Sequence, residues 1–179
     1  MARPLLRVFL AVTIDGFIAR ADGRVDYLDP YNDGFKGWDA FFNSIGSIIM
    51  GRATYEQARS QGRWIFDDKR TFVLTSRDLP DVPAGVETFS DPAALVERLR
   101  REESKDIWHM GGGRSLAPFD ELELIDRWEL GIVPVILGSG IPLFPEQTDT
   151  FNTCRLQKCE QHENGLVELH YEPIREGED

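Results

Sequence analysis

Asp106-Ile107-Trp108-His109-Met110-Gly111-Gly112-Gly113-Arg114-Ser115-Leu116 reads as a short apolar strand that runs into three consecutive glycines and then into a helix start. Residues without a Cβ let the backbone turn tightly and let an anion approach the main-chain amides, and the helix that follows offers unpaired N–H groups and a positive dipole end. The expected occupant is a phosphate; the alternative is a tight strand-to-helix turn with no ligand. Two other strand ends favour the phosphate. Ser47-Ile48-Ile49-Met50-Gly51-Arg52-Ala53-Thr54-Tyr55-Glu56 is again apolar strand, glycine, then a helix opening with a cation and a hydroxyl. Thr71-Phe72-Val73-Leu74-Thr75-Ser76-Arg77 ends in two hydroxyls and an arginine. Three strands that finish in anion-friendly chemistry suit an open α/β sheet, where ligands bind outside the carboxyl ends of the strands. The joint pattern argues for a nucleotide.

The chain has 179 residues and a formal net charge of −11. One domain over residues 1–179, with its core at about 7–172, is the simplest expectation. The acidic balance repels a phosphate backbone, so nucleic acid is not expected as a partner. Met1-Ala2-Arg3-Pro4-Leu5-Leu6-Arg7 lacks a signal-peptide pattern, no window is apolar enough to span a membrane, and a cytoplasmic location is expected. Cys154 and Cys159 lie in one probable strand and read as buried or half-exposed free thiols. His109, His162 and His170 fall in no recognised metal-ligand spacing, so no metal is expected.

Arg7 to Thr13 is too continuously apolar for a half-exposed edge and reads as a central strand. A turn at Asp15-Gly16 follows, then a loop through Tyr27 to Gly34 rich in aromatics and turn residues, which reads as a mobile flap over a ligand. Phe35, Trp38, Phe41 and Phe42 recur at helical spacing, as core packing or as an aromatic wall for a substrate ring. Helices are expected over Arg52 to Arg59 and, capped by Ser90-Asp91-Pro92, over Ala93 to Glu103. Short strands are expected at Thr71 to Thr75 and Val86 to Phe89. Asp126 to Leu137 is strand-like, and the runs Asn152 to Gln161 and Leu166 to Glu172 flank an Asn164-Gly165 hairpin signal.

In order and spacing, Asp15-Gly16-Phe17-Ile18-Ala19, Met50 to Glu56, Gly111-Gly112-Gly113 and Pro134 to Phe144 resemble the dihydrofolate reductase fold. The branch they resemble more closely holds the reductase domain of bacterial riboflavin biosynthesis and its small stand-alone relatives. The resemblance implies an α/β three-layer sandwich, with a mostly parallel central sheet and a C-terminal antiparallel hairpin. A Rossmann-type dinucleotide fold fails, because its fingerprint needs a glycine where Leu116 stands.

By the same resemblance, Gly51, Arg52, Ala53 and Thr54 meet the cofactor phosphates at one helix start, and Gly111, Gly112, Gly113, Arg114 and Ser115 at another. Thr75, Ser76 and Arg77 sit by the adenosine ribose, where a guanidinium and two hydroxyls suit a 2′-phosphate and hence NADPH over NADH. Ala11, Ile18 and Ala19 border the nicotinamide, and Met110 closes that pocket. The carboxylate that dihydrofolate reductases carry on the first helix falls near Phe35, and Gly131 stands where they tend to place its threonine partner. The expectation is therefore a reductase of a small planar imine or carbonyl, resembling a ribosylaminopyrimidine phosphate or a pteridine, and not dihydrofolate reduction itself. Asp15 is the first candidate for proton donor or substrate anchor, against a purely local role in its own turn. Asp33 and Asp39 are further candidate acids, with Phe35, Trp38 and Trp64 as candidate substrate contacts. A non-catalytic NADP-binding or sensory protein is the alternative. The late hairpin suits either a homodimer contact or the packed edge of one monomer.

Overall fold

The computed structural model describes residues 3–34, 37–60, 64, 66–145 and 152–175. Its centre is an eight-stranded sheet of order β5-β4-β3-β6-β1-β7-β10-β9. These strands are β1 (Leu6–Thr13), β3 (Ile45–Gly51), β4 (Arg70–Leu74), β5 (Val86–Phe89), β6 (Asp106–His109), β7 (Arg127–Val133), β9 (Cys154–Gln161) and β10 (Val167–Pro173). Pairing is parallel from β5 through to β7, and β10 runs antiparallel to both β7 and β9. A small second sheet joins β2 (Phe17–Ala19) to β8 (Ile141–Pro142).

Period-two alternation in the strands assigns each side chain to one of two cores. Leu6, Val8 and Val12 of β1, with Ile49, Phe72 and Ile107, pack against α3 (Pro92–Glu102) through Leu95, Val96 and Leu99, and against α4 (Gly113–Glu121) through Leu116 and Phe119. On the opposite face Ile48, Met50, Val73 and Trp108 meet Phe41 of α1 (Trp38–Ser44) and Tyr55 of α2 (Arg52–Ser60). Asp91 caps α3 as its sequence suggests, accepting from the Ala94 amide with Pro92 in the first turn.

Three expectations change. The stretch read as a loop forms a 3-10 helix, Asp26–Gly34, anchored by Tyr27, which is buried beside Val133 and Leu166. The strand read through to Leu137 ends at Val133, because Pro134 has no N–H to give the ladder. Cys154 and Cys159 are free but exposed, since β9 is an edge strand exposed along its whole length. Among the described residues, no helix is long and apolar enough to cross a membrane.

Candidate functional site

The end of β6 shows why three glycines stand together. Gly111 (φ 100°) and Gly112 (φ 89°) adopt the left-handed backbone that side chains disfavour. Gly113 answers to space instead, since a Cβ there would lie 2.5 Å from the Pro142 carbonyl oxygen and 2.7 Å from that of Leu143. The end of β3 packs directly against this turn: a Cβ on Gly51 would come within 2.8 Å of Ser115 Cβ, and one on Gly112 within 3.3 Å of Thr54 Oγ1. The first turns of α2 and α4 therefore lie side by side. Their N-termini bring Gly51, Arg52, Ala53, Thr54, Gly112, Gly113 and Arg114 to one edge of the sheet, where both helix dipoles present their positive ends.

His109 locks this turn from inside. It is fully buried, Nδ1 accepts from the Gly111 amide at 3.2 Å, and Nε2 faces the Ser115 carbonyl at 3.3 Å. That pair of contacts requires a neutral ring with its proton on Nε2, and burial pushes the imidazole down to about 4. Nothing in the sequence pattern distinguished His109 from the apolar strand around it. The Ser115 hydroxyl is turned inward, 3.0 Å from the Gly111 carbonyl and 2.9 Å from that of Gly112. The Ser115 hydroxyl thus shapes the turn.

At the end of β4, Thr75 Oγ1 accepts from the Arg77 amide at 3.1 Å and donates to the Arg77 carbonyl at 3.0 Å, which fixes the Thr75-Ser76-Arg77 turn. Arg52 reaches the same loop through a 3.3 Å hydrogen bond to the Asp78 carbonyl while pairing with Glu56 at 2.6 Å. Arg77 and Arg114 are exposed and form no ion pair among the described residues. These guanidinium groups give the edge local positive charge on an otherwise acidic chain.

Of the residues expected beside the nicotinamide, Ala11 packs against the Tyr27, Val133 and Leu166 cluster, as Leu28 and Tyr31 do, Ala19 is buried, and Ile18 and Met110 are half-buried against the other two cores. Asp15 accepts hydrogen bonds from Thr13 Oγ1 at 2.6 Å, the Gly138 amide at 2.7 Å and the Leu137 amide at 3.2 Å. The Thr13 hydroxyl, followed by the two amides, holds its carboxyl below the usual carboxylate range against a smaller opposing desolvation. An ionised carboxylate engaged in this way clamps the 137–138 loop to β1. These contacts match the local turn role that stood as the alternative to a proton donor.

Trp38 stands partly exposed, with its ring stacked on Phe42 at 5.6 Å and edge-on to Trp108 at 5.6 Å, and Asp39 beside it is exposed. Trp64 is buried against Tyr55 and Phe66, so its surface is taken up by the core. Phe35 and the side chain of Asp33 lie outside the described residues.

A cavity of about 310 Å³ opens between α1 and the sheet, walled by Phe9, Ala40, Phe41, Arg7, Glu129 and His170 among others. Its polar floor was missed in the sequence. Arg7 grips Glu129 through Nε (2.9 Å) and Nη2 (2.7 Å), and His170 links Glu129 to Glu168. The signal was Glu129 as the one acid inside β7, and Glu168 two residues before His170 in β10. Ala11, Gly131 and Glu168 are in register across β1, β7 and β10. Gly131 is buried and places no side chain in the lane from Ala11 to Glu168.

This arrangement defines a dihydrofolate reductase-like α/β protein, with two helix N-termini meeting at its parallel strand ends. Residues 4–168 match the RibD C-terminal domain, and the chain belongs to that family. It is 34% identical over 167 residues to the uncharacterized protein YwjB of Bacillus subtilis (strain 168), covering 92% of this chain and 95% of that one. A putative riboflavin biosynthesis protein from Shewanella sp. PV-4 superposes with a TM-score of 0.83 at 26% identity, over 96% of this chain and 99% of that chain. A Thermotoga maritima diaminohydroxyphosphoribosylaminopyrimidine deaminase/5-amino-6-(5-phosphoribosylamino)uracil reductase shares the fold with a TM-score of 0.73 at 16% identity, over 96% of this chain and 57% of that chain.

Proposed function

We propose that the protein is an NADPH-dependent reductase that passes hydride to a small planar imine or carbonyl, of the ribosylaminopyrimidine phosphate or pteridine kind. The observation that carries this reading is the convergence of two helix starts through Gly51 against Ser115 and Gly112 against Thr54. The edge they make, flanked by Arg52, Arg77 and Arg114, fits a dinucleotide pyrophosphate and a 2′-phosphate. When bound, NADPH supplies the hydride. The protein orients it along Ala11, Ile18, Ala19 and Met110 and keeps water from the reacting carbon. A substrate ring over Gly131 would face Phe9 on one side and Glu168 with His170 on the other, which places the nearest described titratable groups on β10 and not on α1.

Titration with NADPH and with NADH, followed by nicotinamide fluorescence or calorimetry, tests the cofactor. A clear preference for NADPH is expected. Arg77→Ala should weaken NADPH more than NADH by about 1.5–3 kcal/mol, the range for a lost charge-assisted hydrogen bond. Equal weakening of both would remove Arg77 from the 2′-phosphate. The engagement of Asp15 with its own loop favours a second reading, a non-catalytic NADP-binding sensor. Stereospecific NADPH oxidation with any member of a pteridine and ribosylaminopyrimidine panel separates the two. The exposed edge strand β9, with Leu156 half exposed, is the surface we propose for a homodimer, and sedimentation equilibrium tests it.

A further inference from the structure

The β9–β10 hairpin carries a second polar cluster, away from the glycine turns. Glu160 and Glu168 are direct cross-strand partners. Two carboxylates opposed on an antiparallel ladder repel unless a cation lies between them. His162, just beyond β9, turns its ring to the same point. Its side chain is only 6% exposed, and Nε2 lies 3.4 Å from Glu168 Oε2. That nitrogen is buried, yet it makes no hydrogen bond to any described group. A buried imidazole nitrogen that faces a carboxylate at 3.4 Å without a hydrogen bond is costly, and a shared cation would satisfy both.

One donor atom from each of Glu160, His162 and Glu168 lies within 4.8 Å of the others. Around a tetrahedral ion with bonds of about 2.0–2.2 Å, neighbouring ligands stand on the order of 3.4 Å apart. The His162–Glu168 pair already has that spacing, and the exposed Glu160 side chain closes the rest by rotation. Glu168 is also aimed from behind. Its Oε1 is hydrogen-bonded to His170 Nε2, His170 Nδ1 lies 3.5 Å from Glu129 Oε1, and Arg7 holds Glu129 through two nitrogens. This leaves Oε2 facing His162. Such backing of a ligand carboxylate is what orients metal sites.

We propose that Glu160, His162 and Glu168 form a binding site for a divalent transition-metal cation, with Zn²⁺ as its natural probe. An imidazole nitrogen with two carboxylates suits Zn²⁺, whereas Ca²⁺ and Mg²⁺ call for more oxygen ligands and no nitrogen. Lys158 is the built-in competitor, with Nζ 2.7 Å from Glu160 Oε2 and 3.5 Å from Glu168 Oε1. The metal displaces this ammonium from the carboxylate pair. The site lies on residues that no metal-ligand spacing in the sequence revealed, and the proposal departs from the expectation of a protein without metal. It stands independently of the cofactor reading.

The test is calorimetry with Zn²⁺ on untagged protein carrying Cys154→Ser and Cys159→Ser, which removes the exposed thiols as rival ligands. One equivalent of Zn²⁺ is expected, weakened at least tenfold by Glu160→Gln or His162→Gln and tightened by Lys158→Met. Glu160 is exposed, so Glu160→Gln leaves the fold intact even where His162→Gln does not. Co²⁺ substitution should give the visible absorption of a low-coordinate nitrogen and oxygen site. Absence of Zn²⁺ binding, or binding unchanged by Glu160→Gln and Lys158→Met, overturns the proposal. NADPH titration of the same samples reports on the nucleotide cleft separately.

Discussion

Acidification should loosen the glycine turn through one residue, His109. Its ring is fully buried and its value falls from the ordinary 6.5 to about 4, because burial disfavours the charged form. Between these values the unfolded chain binds a proton that the folded chain refuses, so stability falls as pH falls from about 6.5 towards 4. With about 1.4 kcal/mol per unit, the contribution lost is about 2 kcal/mol at pH 5 and about 3 kcal/mol near pH 4. The geometry states the same cost. A second ring proton on Nδ1 would point at the Gly111 amide, which now donates to that nitrogen at 3.2 Å. Urea unfolding at pH 7 and pH 5 should therefore show a larger drop for the native chain than for His109→Gln. That variant loses about 1–2 kcal/mol at pH 7 with its hydrogen bonds but carries no titrating ring. Nitrogen NMR should find the ring neutral, with Nε2 protonated, at pH 6. An equal pH response in both proteins, or a ring titrating near 6.5, would refute the reasoning.

Gly113→Ala should cost about 1–3 kcal/mol in urea unfolding, since its Cβ meets the Pro142 and Leu143 carbonyls, which are backbone and cannot rotate away. Asp126→Asn should cost about 2–3 kcal/mol, because this buried carboxylate accepts from the Leu6 amide (2.8 Å), Arg3 (2.7 Å), Arg100 (2.6 Å) and Arg175 (3.0 Å). Burial raises the Asp126 carboxyl, but the Leu6 amide and the arginines outweigh it and leave it lowered. Its contribution is thus full above the ordinary carboxylate value of about 4 and disappears as pH falls through the folded value, which thermal unfolding between pH 5 and pH 2 will show as a native-to-variant difference that closes.

The parts of the fold that could be read from the sequence are those whose cause is local. Positive φ at Gly111 and Gly112 is a property of glycine, the Asn164-Gly165 turn sets its own hairpin, and Asp91-Pro92 starts its own helix. The 3-10 helix over Asp26–Gly34 escaped because its short run has no helical period, and Tyr27 is held by Val133 and Leu166 from distant strands. Long-range partners also hid the buried acids. Glu129 looks like a solvated residue in Arg127-Trp128-Glu129-Leu130 until Arg7 is laid beside it. The hairpin is centred on Asn164, with His162 and Leu166 closing a three-residue loop, so counting outward from a two-residue Asn164-Gly165 turn sets Glu160 opposite Leu169 and misses its pairing with Glu168.

Those hidden acids bear on the two departures found in the sequence, the missing carboxylate near Phe35 and the glycine at 131. Read singly, each subtracts from a reductase site. The register joins the glycine to Glu168 as its neighbour on β10, on the sheet face that also carries Ala11. Adjacent strands lie about 4.7–4.9 Å apart, so Glu168 stands roughly 10 Å from β1 across a position with no side chain. A threonine at 131 would put a branched side chain into this lane. Gly131→Thr accordingly belongs with Glu168→Gln in the substrate screen, the first to block the lane and the second to leave it open but uncharged.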